Sequence, residues 1–362
     1  MTDRVYNFSP GPAMLPEAVL RQAQEELLAL PGIGMSVLEI SHRSATFIKI
    51  LDEAEANIRK LLAVPDNYRI VFLQGGSRLQ FSMVPMNFLR GGGKADFLLT
   101  GSWSVKALEE ARREGATNVA WDGKPTNFDR LPGDGEAKLS ADATYVHYTS
   151  NETIQGVQFP TEPKSGNVPL VCDASSDFLS RSINVERHAL IFACAQKNAG
   201  PAGVTVVIVR DDFVERCPDD IAGMLNYRNH VKEKSCYNTP PVFGVYVVKL
   251  VGQWLLDQGG LSAVQQQNEK KAAQLYAVID GSNGFYDGHA QPSCRSRMNV
   301  TFRLPSDELQ SKFLAGAAER RLFELKGHRS VGGIRASIYN AMPAAGVAAL
   351  AEFMEEFHSR SR

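Results

Sequence analysis

The sequence has no apolar run approaching the ~20 residues a membrane-spanning helix needs. Its first residues, MTDRVYNFSPGPAMLPEAVL, lack the basic-then-apolar order of a secretion signal. These two absences predict a soluble cytoplasmic protein. An excess of one charge sign is missing too: 39 Lys and Arg stand against 40 Asp and Glu. With no net field to attract nucleic acid or an anionic membrane, small molecules are the expected partners. Cysteine is sparse: Cys172, Cys194, Cys217, Cys236 and Cys294 are odd in number and form no C-x-x-C pair, which argues against a disulfide framework or a zinc site. The seven histidines include no H-E-x-x-H, so no metal centre is expected. The loop GGGK, Gly91 to Lys94, lacks P-loop spacing and reads as an exposed turn.

What is present is apolar residue in quantity, 44% over 362 positions, enough for a large core. Helical periodicity with plausible starts runs over Pro16 to Leu30, Ala45 to Ala63, Leu79 to Phe88 and Ser104 to Arg113. Between and after these lie short apolar runs that predict strands at Arg69 to Leu73, Ala95 to Leu99, Thr144 to Tyr148, Val168 to Cys172, Leu190 to Cys194 and Val204 to Val209. Several are apolar nearly throughout, as strands buried on both faces must be. The alternation predicts an α/β fold: a large domain, 16–260, with a mainly parallel sheet covered by helices. The segment KNAGPAG, Lys197 to Gly203, is too short for a parallel crossover, so one strand there should run antiparallel. A smaller α+β domain, 1–15 with 261–362, is expected from a helix at Leu261 to Ile279, the strand-like RMNVTFRL, and helices at Ser306 to Phe323 and Ala344 to Phe357. The closing FHSRSR reads as a solvated basic tail.

Two strand ends carry opposite charges: VPLVCDASS ends on Asp173, and LIFACAQKNAGPAG ends on Gln196 and Lys197. Ligands of open α/β sheets bind outside the carboxyl ends of the strands, so both side chains can reach one pocket; a structural ion pair is the competing reading. A desolvated lysine, its pKa lowered, can form an imine with an aldehyde, and an acid opposite a pyridinium nitrogen keeps that ring protonated. The segment YRIVFLQGGSRLQF passes from strand to helix through Gly75-Gly76-Ser77-Arg78, which aims backbone N–H groups and a positive dipole end at the turn as an anion cradle. Trp103, at a helix start after a strand, can stack on a flat ring or simply pack in the core. Thr153 in HYTSNETIQG can donate to a phenolic oxygen or cap a turn.

Taken in order, NFSPGPAMLP, SHRS, GGSRLQF, HYTSNETIQG, CDASSDFLSR, AQKNAGPAG, YNTPP, SRMNV and GHRSVGGIRASIYNAMP resemble the phosphoserine aminotransferase family, from about residue 7 to residue 343. The resemblance implies a pyridoxal-phosphate enzyme of fold type I, with a mainly parallel seven-stranded sheet. It also implies a homodimer with active sites at the subunit interface. It makes Lys197 the Schiff-base lysine, Asp173 the partner of the pyridine nitrogen, Trp103 the stacking residue and Thr153 the donor to the ring oxygen. Gln196, Ser77 and Arg78 would lie at the phosphate end, reached from the partner subunit by Asn238 and Thr239. Arg335 would bind the substrate α-carboxylate, and His42, Arg43, Arg78, His328 and Arg329 together the second anionic group. The implied reaction moves an amino group reversibly from L-glutamate to 3-phosphohydroxypyruvate, giving O-phospho-L-serine and 2-oxoglutarate, a step of serine biosynthesis. A phosphothreonine-type substrate of vitamin B6 synthesis stays open, and the alternative is another fold-type I aminotransferase or a desulfurase. Ser77 stands where the family commonly has a third glycine, with its backbone N–H retained.

Overall fold

The computed structural model describes residues 4–361. Residues 1–3 of the expected small domain, and the terminal arginine of the FHSRSR tail, lie outside it.

Seven strands make the central sheet: β1 (Tyr68–Leu73), β2 (Lys94–Leu99), β3 (Ala116–Asp122), β4 (Tyr145–Thr149), β5 (Leu170–Asp173), β6 (His188–Cys194) and β7 (Thr205–Arg210). Their spatial order is β1-β7-β6-β5-β4-β2-β3. All neighbours are parallel except β7, which runs antiparallel to both β1 and β6. KNAGPAG, the short link from β6 to β7, imposes this reversal as its length required. β3 was not foreseen; ATNVAWD carries Asn118 and Asp122 and only partial burial, as an outermost strand can.

The near-continuous apolarity of the strands has the expected cause, since alternate side chains feed two cores. Tyr68, Ile70, Phe72, Val206 and Ile208 face one layer, containing α1 (Glu17–Glu26) and α2 (Ala45–Leu62). Val71, Leu73, Phe97, Leu99 and Phe192 face the other, formed by α3 (Gly76–Phe88) and α4 (Ser102–Ala111). Each such fully buried side chain contributes roughly 1.5–3 kcal/mol. Helix α2 starts where the sequence predicted because Ser44 Oγ accepts from Phe47 N, and it ends because Ala63 turns left-handed at φ 50°. α5 (Val242–Asp257) packs across it, and α6 (Gly260–Gly281) follows.

α6 joins two cores. Leu261 and Val264 belong to the first layer, while Ala272, Leu275 and Ile279 belong to a third core. That core is closed by a three-stranded antiparallel sheet of β8 (Asp287–Gly288), β9 (Asn299–Arg303) and β10 (Ile334–Ser337) with α7 (Asp307–Glu319) and α8 (Ala344–Arg360). Two expectations fail here. The helix predicted to reach Phe323 stops at Glu319, because Arg321 adopts φ 64° and sends Leu322–Phe323 into a parallel pairing with Tyr6–Asn7. The FHSRSR tail is not simply solvated: α8 continues through it to Arg360, and Phe357 packs against Phe313 and Phe353.

From that pairing with Leu322–Phe323, the N-terminal segment crosses to the sheet. Phe8 is fully buried, Ala13 N donates to Gln196 O at 2.9 Å, and Tyr339 OH donates to Pro10 O at 2.8 Å. Gly11, at φ 140°, passes so close that a Cβ would lie 3.4 Å from Lys197 Cγ. Among the described residues no helix is long and apolar enough to cross a membrane.

Candidate active site

The carboxyl ends of β1, β2, β4, β5 and β6 converge on a cavity of about 170 Å³. Gly75, Gly76, Ser77 and Arg78 line one side, at the start of α3. Gly75 at φ 92° and Gly76 at φ 65° make a turn that L side chains adopt poorly, and no side chain caps the helix, so its first N–H groups are left for a ligand. Ser77 Oγ stands 2.5 Å from Ser175 Oγ, so the serine in the third-glycine position ties the cradle to the end of β5.

Trp103, half-buried at the head of α4, forms another wall, with its indole Nε1 buried and unpartnered. Asp173, Gln196 and Lys197 complete it, together with Cys194. The structural ion pair is not what forms. Lys197 Nζ donates to Thr153 Oγ1 at 2.9 Å and to Ser176 Oγ at 2.7 Å, while Asp173 Oδ1 accepts from Ser175 N at 2.9 Å. Burial raises the Asp173 carboxyl above the usual range, partly offset by the Lys197 charge and by Ser175. The expectation of a lowered lysine pKa is corrected in direction. Desolvation is the largest influence on Lys197 and pushes it down, but Tyr339, Cys194, Asp173 and Glu152 around it outweigh that, and the net shift is upward.

The predicted substrate residues fall in two places. Arg335 on β10 is buried, with Nε lacking any hydrogen-bond partner, and desolvation lowers its pKa. His328 lies beside it: burial and then the charges of Arg335, Lys106 and Arg329 hold its imidazole below the usual range. Lys106 was missed by sequence reasoning, although its position one helical turn after Trp103 was legible; its Nζ sits 4.4 Å from the Trp103 ring centroid. His42 and Arg43 lie elsewhere, in the turn before α2, with Arg43 Nε donating to His42 Nε2 at 3.4 Å. Asn238 and Thr239 are tethered to Gln74, whose Nε2 donates to Thr239 O at 3.0 Å. None of these four lines the cavity of its own chain. Arg43 is nevertheless an electrostatic neighbour of Cys236, so the SHRS and CYNTPP segments share one face.

Sequence reasoning also missed Ser175 and Ser176. Both hydroxyls were in view in CDASS, but nothing in the sequence said that they turn toward Ser77 and Lys197.

The donor set fits pyridoxal phosphate: an N–H cradle with Arg78 for a phosphate, an uncapped indole wall for a ring, a buried acid, and a lysine amine held by two hydroxyls. The chain matches the model of the family described as aminotransferase class-V over residues 5–350. It therefore belongs to the class-V aminotransferases, and pyridoxal phosphate is its cofactor.

Within that class its relatives are phosphoserine aminotransferases. The one from Rhodopirellula baltica is 56% identical over 99% of this chain and 96% of its own length. The solved phosphoserine aminotransferase from Bacillus circulans subsp. alkalophilus superposes with a TM-score of 0.98 at 48% identity, covering 100% of both chains. The PLP-bound phosphoserine aminotransferase from Trichomonas vaginalis gives 0.93 at 42% identity, covering 97% of this chain and 100% of that one.

Proposed function

We propose that this chain transfers an amino group reversibly between O-phospho-L-serine and 2-oxoglutarate, giving 3-phosphohydroxypyruvate and L-glutamate. The observation that carries the substrate reading is that the charges of Arg335, Lys106 and Arg329 all bear on His328, while Lys106 sits over Trp103, a wall of the cavity. One α-carboxylate needs one guanidinium. A phosphate in one half-reaction and a side-chain carboxylate in the other call for the rest.

When bound, pyridoxal phosphate supplies an aldehyde that takes the amino group and a ring that accepts the electron pair left at the substrate α-carbon. Lys197 Nζ would hold the aldehyde end and, as a free amine, would move the proton at the substrate α-carbon as base and then acid. The hydroxyls of Thr153 and Ser176 keep that amine aimed while it waits. Asp173, buried at the far wall, would pair with the ring nitrogen, and Thr153 would donate to the ring oxygen. Trp103 would cover the ring face and exclude water. Ser77, Arg78 and Gln196 would hold the phosphate. Arg335 would take the α-carboxylate, with its free Nε and burial favouring an anion.

His42, Arg43, Asn238 and Thr239 are assigned to the site of a second copy. Their common face is dotted with exposed apolar side chains, Leu38 at 61%, Tyr237 at 43% and Ile48 at 40%, which a homodimer would cover. Asn238 and Thr239 would meet the partner's cofactor phosphate; His42 and Arg43 would meet its substrate's second anion. The same reading assigns residues 16–260 to a cofactor-holding domain and 1–15 with 261–362 to a small one, supported by the separate core containing Phe8 and residues from 272 to 354. With free metabolites as substrates, the cytoplasm is its proposed location.

The test is a coupled assay with O-phospho-L-serine and 2-oxoglutarate that follows glutamate, with serine and alanine as comparison donors. Turnover selective for phosphoserine supports the reading. A coloured protein that prefers alanine overturns the substrate and leaves the cofactor.

A further inference from the structure

Glu152 is fully buried beside the site, yet it has no part in the chemistry above. It sits in the short hairpin Asn151–Glu152/Val157–Gln158, one residue before Thr153. Its two carboxylate oxygens reach across to the head of α4. Oε2 accepts from Trp103 N at 2.9 Å; Oε1 accepts from Ser104 N at 2.9 Å and from Ser104 Oγ at 2.8 Å. Gln155, three residues on, takes the preceding position, with Oε1 accepting from Ser102 N at 3.2 Å and Nε2 donating to Ser102 Oγ at 2.8 Å. The first three N–H groups of α4 are thus held by one remote hairpin.

Gly101 makes room for it. A Cβ there would lie 2.5 Å from Glu152 Cδ and 2.7 Å from Gln155 Oε1. Burial pushes the Glu152 carboxyl up to about 7, against the Ser104 and Trp103 N–H groups that pull it down. An acid retained at that desolvation cost, facing donors alone, implies a need for fixed geometry. Trp103 supplies the need. Its indole N–H has no hydrogen-bond partner, so apart from the Lys106 amine over the ring, backbone direction and packing set where it points.

We infer that Glu152 is a positioning residue that locks the first turn of α4 and so keeps the Trp103 indole at the wall of the cofactor cavity. The inference rests on the assignment of Trp103 to the cofactor ring.

The test is the dissociation constant of pyridoxal phosphate from the apoprotein, measured by equilibrium dialysis for four proteins: the parent, Glu152→Gln, Trp103→Ala and the double variant. Visible circular dichroism of the bound cofactor is recorded alongside. Glu152→Gln keeps the shape and turns an N–H toward N–H; it should weaken cofactor binding about tenfold and diminish the visible band, with substrate KM within about twofold of the parent. In the Trp103→Ala background the same change should cost less than about twofold, because the ring it positions is gone. If Trp103→Ala by itself leaves the dissociation constant unchanged, the assignment of Trp103 fails. If Trp103→Ala weakens binding and Glu152→Gln has no effect in the parent, or an equal effect in both backgrounds, the positioning role is overturned. Should Glu152→Gln not fold, Gly101→Ala displaces the same carboxylate from outside and must give the same pattern.

Discussion

Arg335→Ala separates recognition from folding. Arg335 is 7% exposed, its Nε is buried without a partner and burial lowers its pKa, so within the free protein it is a largely desolvated cation that gains little. Its value should come when a carboxylate arrives. Two charge-assisted hydrogen bonds at about 1.5–2 kcal/mol each give roughly 3–4 kcal/mol, or about 10²- to 10³-fold. The variant should therefore lose that factor in kcat/KM for O-phospho-L-serine and for L-glutamate alike, because both present the same α-carboxylate. The melting temperature should hold or rise slightly, because removing the side chain also removes an uncompensated buried charge. The assay is initial-rate kinetics in both directions, with calorimetry on the same samples. A loss confined to one substrate would contradict the carboxylate assignment, and a large fall in melting temperature would mean that the side chain is structural.

Lys197→Ala should abolish transamination and the visible absorbance while leaving the assembly intact by light scattering; appreciable turnover would remove Lys197 from the mechanism. Mixing Lys197→Ala protein with Asn238→Ala/Arg43→Ala protein and allowing subunits to exchange should restore about a quarter of the parent's sites, since half the dimers then carry one complete site; no recovery despite demonstrated exchange would refute the shared site. His188 is buried and neutral, with Nδ1–H donating to Asn184 O and Nε2 accepting from Tyr148 OH, each at 2.8 Å; desolvation holds its pKa down at about 4. Unfolded chains take up that proton near pH 6.5 and the folded one near 4, so this contribution is present above 6.5 and is lost as pH falls, by about 3 kcal/mol in all. His188→Gln should flatten the denaturation free energy between pH 6.5 and 4 relative to the parent, and parallel curves would count against it. Lys271 Nζ donates to the carbonyls of Ile338, Tyr339 and Met342 at 2.8–3.1 Å, and Lys271→Met leaves three buried acceptors unmet. A destabilisation of about 3 kcal/mol or more is expected in urea titrations, and a neutral result would show that water replaces the amine.

Much of the molecule was determined by local sequence. Strands that are apolar on both faces could only sit between two helical layers, and the seven residues of KNAGPAG left no room for a parallel return, which places β7 antiparallel. Asp173 and Lys197 were legible because each ends such a strand, and the Gly75-Gly76 turn because it opens a helix. Other features were decided between distant segments. The pairing of Leu322–Phe323 with Tyr6–Asn7, more than 300 residues away, ended a helix whose own periodicity ran on. The upward shift of Lys197 comes from Cys194 just before it and from groups on three other segments, at Glu152, Asp173 and Tyr339. Glu152 carried no signal in HYTSNETIQG, because its partners are backbone N–H groups 48 and 49 residues earlier. Periodicity and strand ends report what a residue does to its own element. Desolvation, charge and hydrogen bonding across elements depend on where the chain returns, and that is settled only when the layers pack.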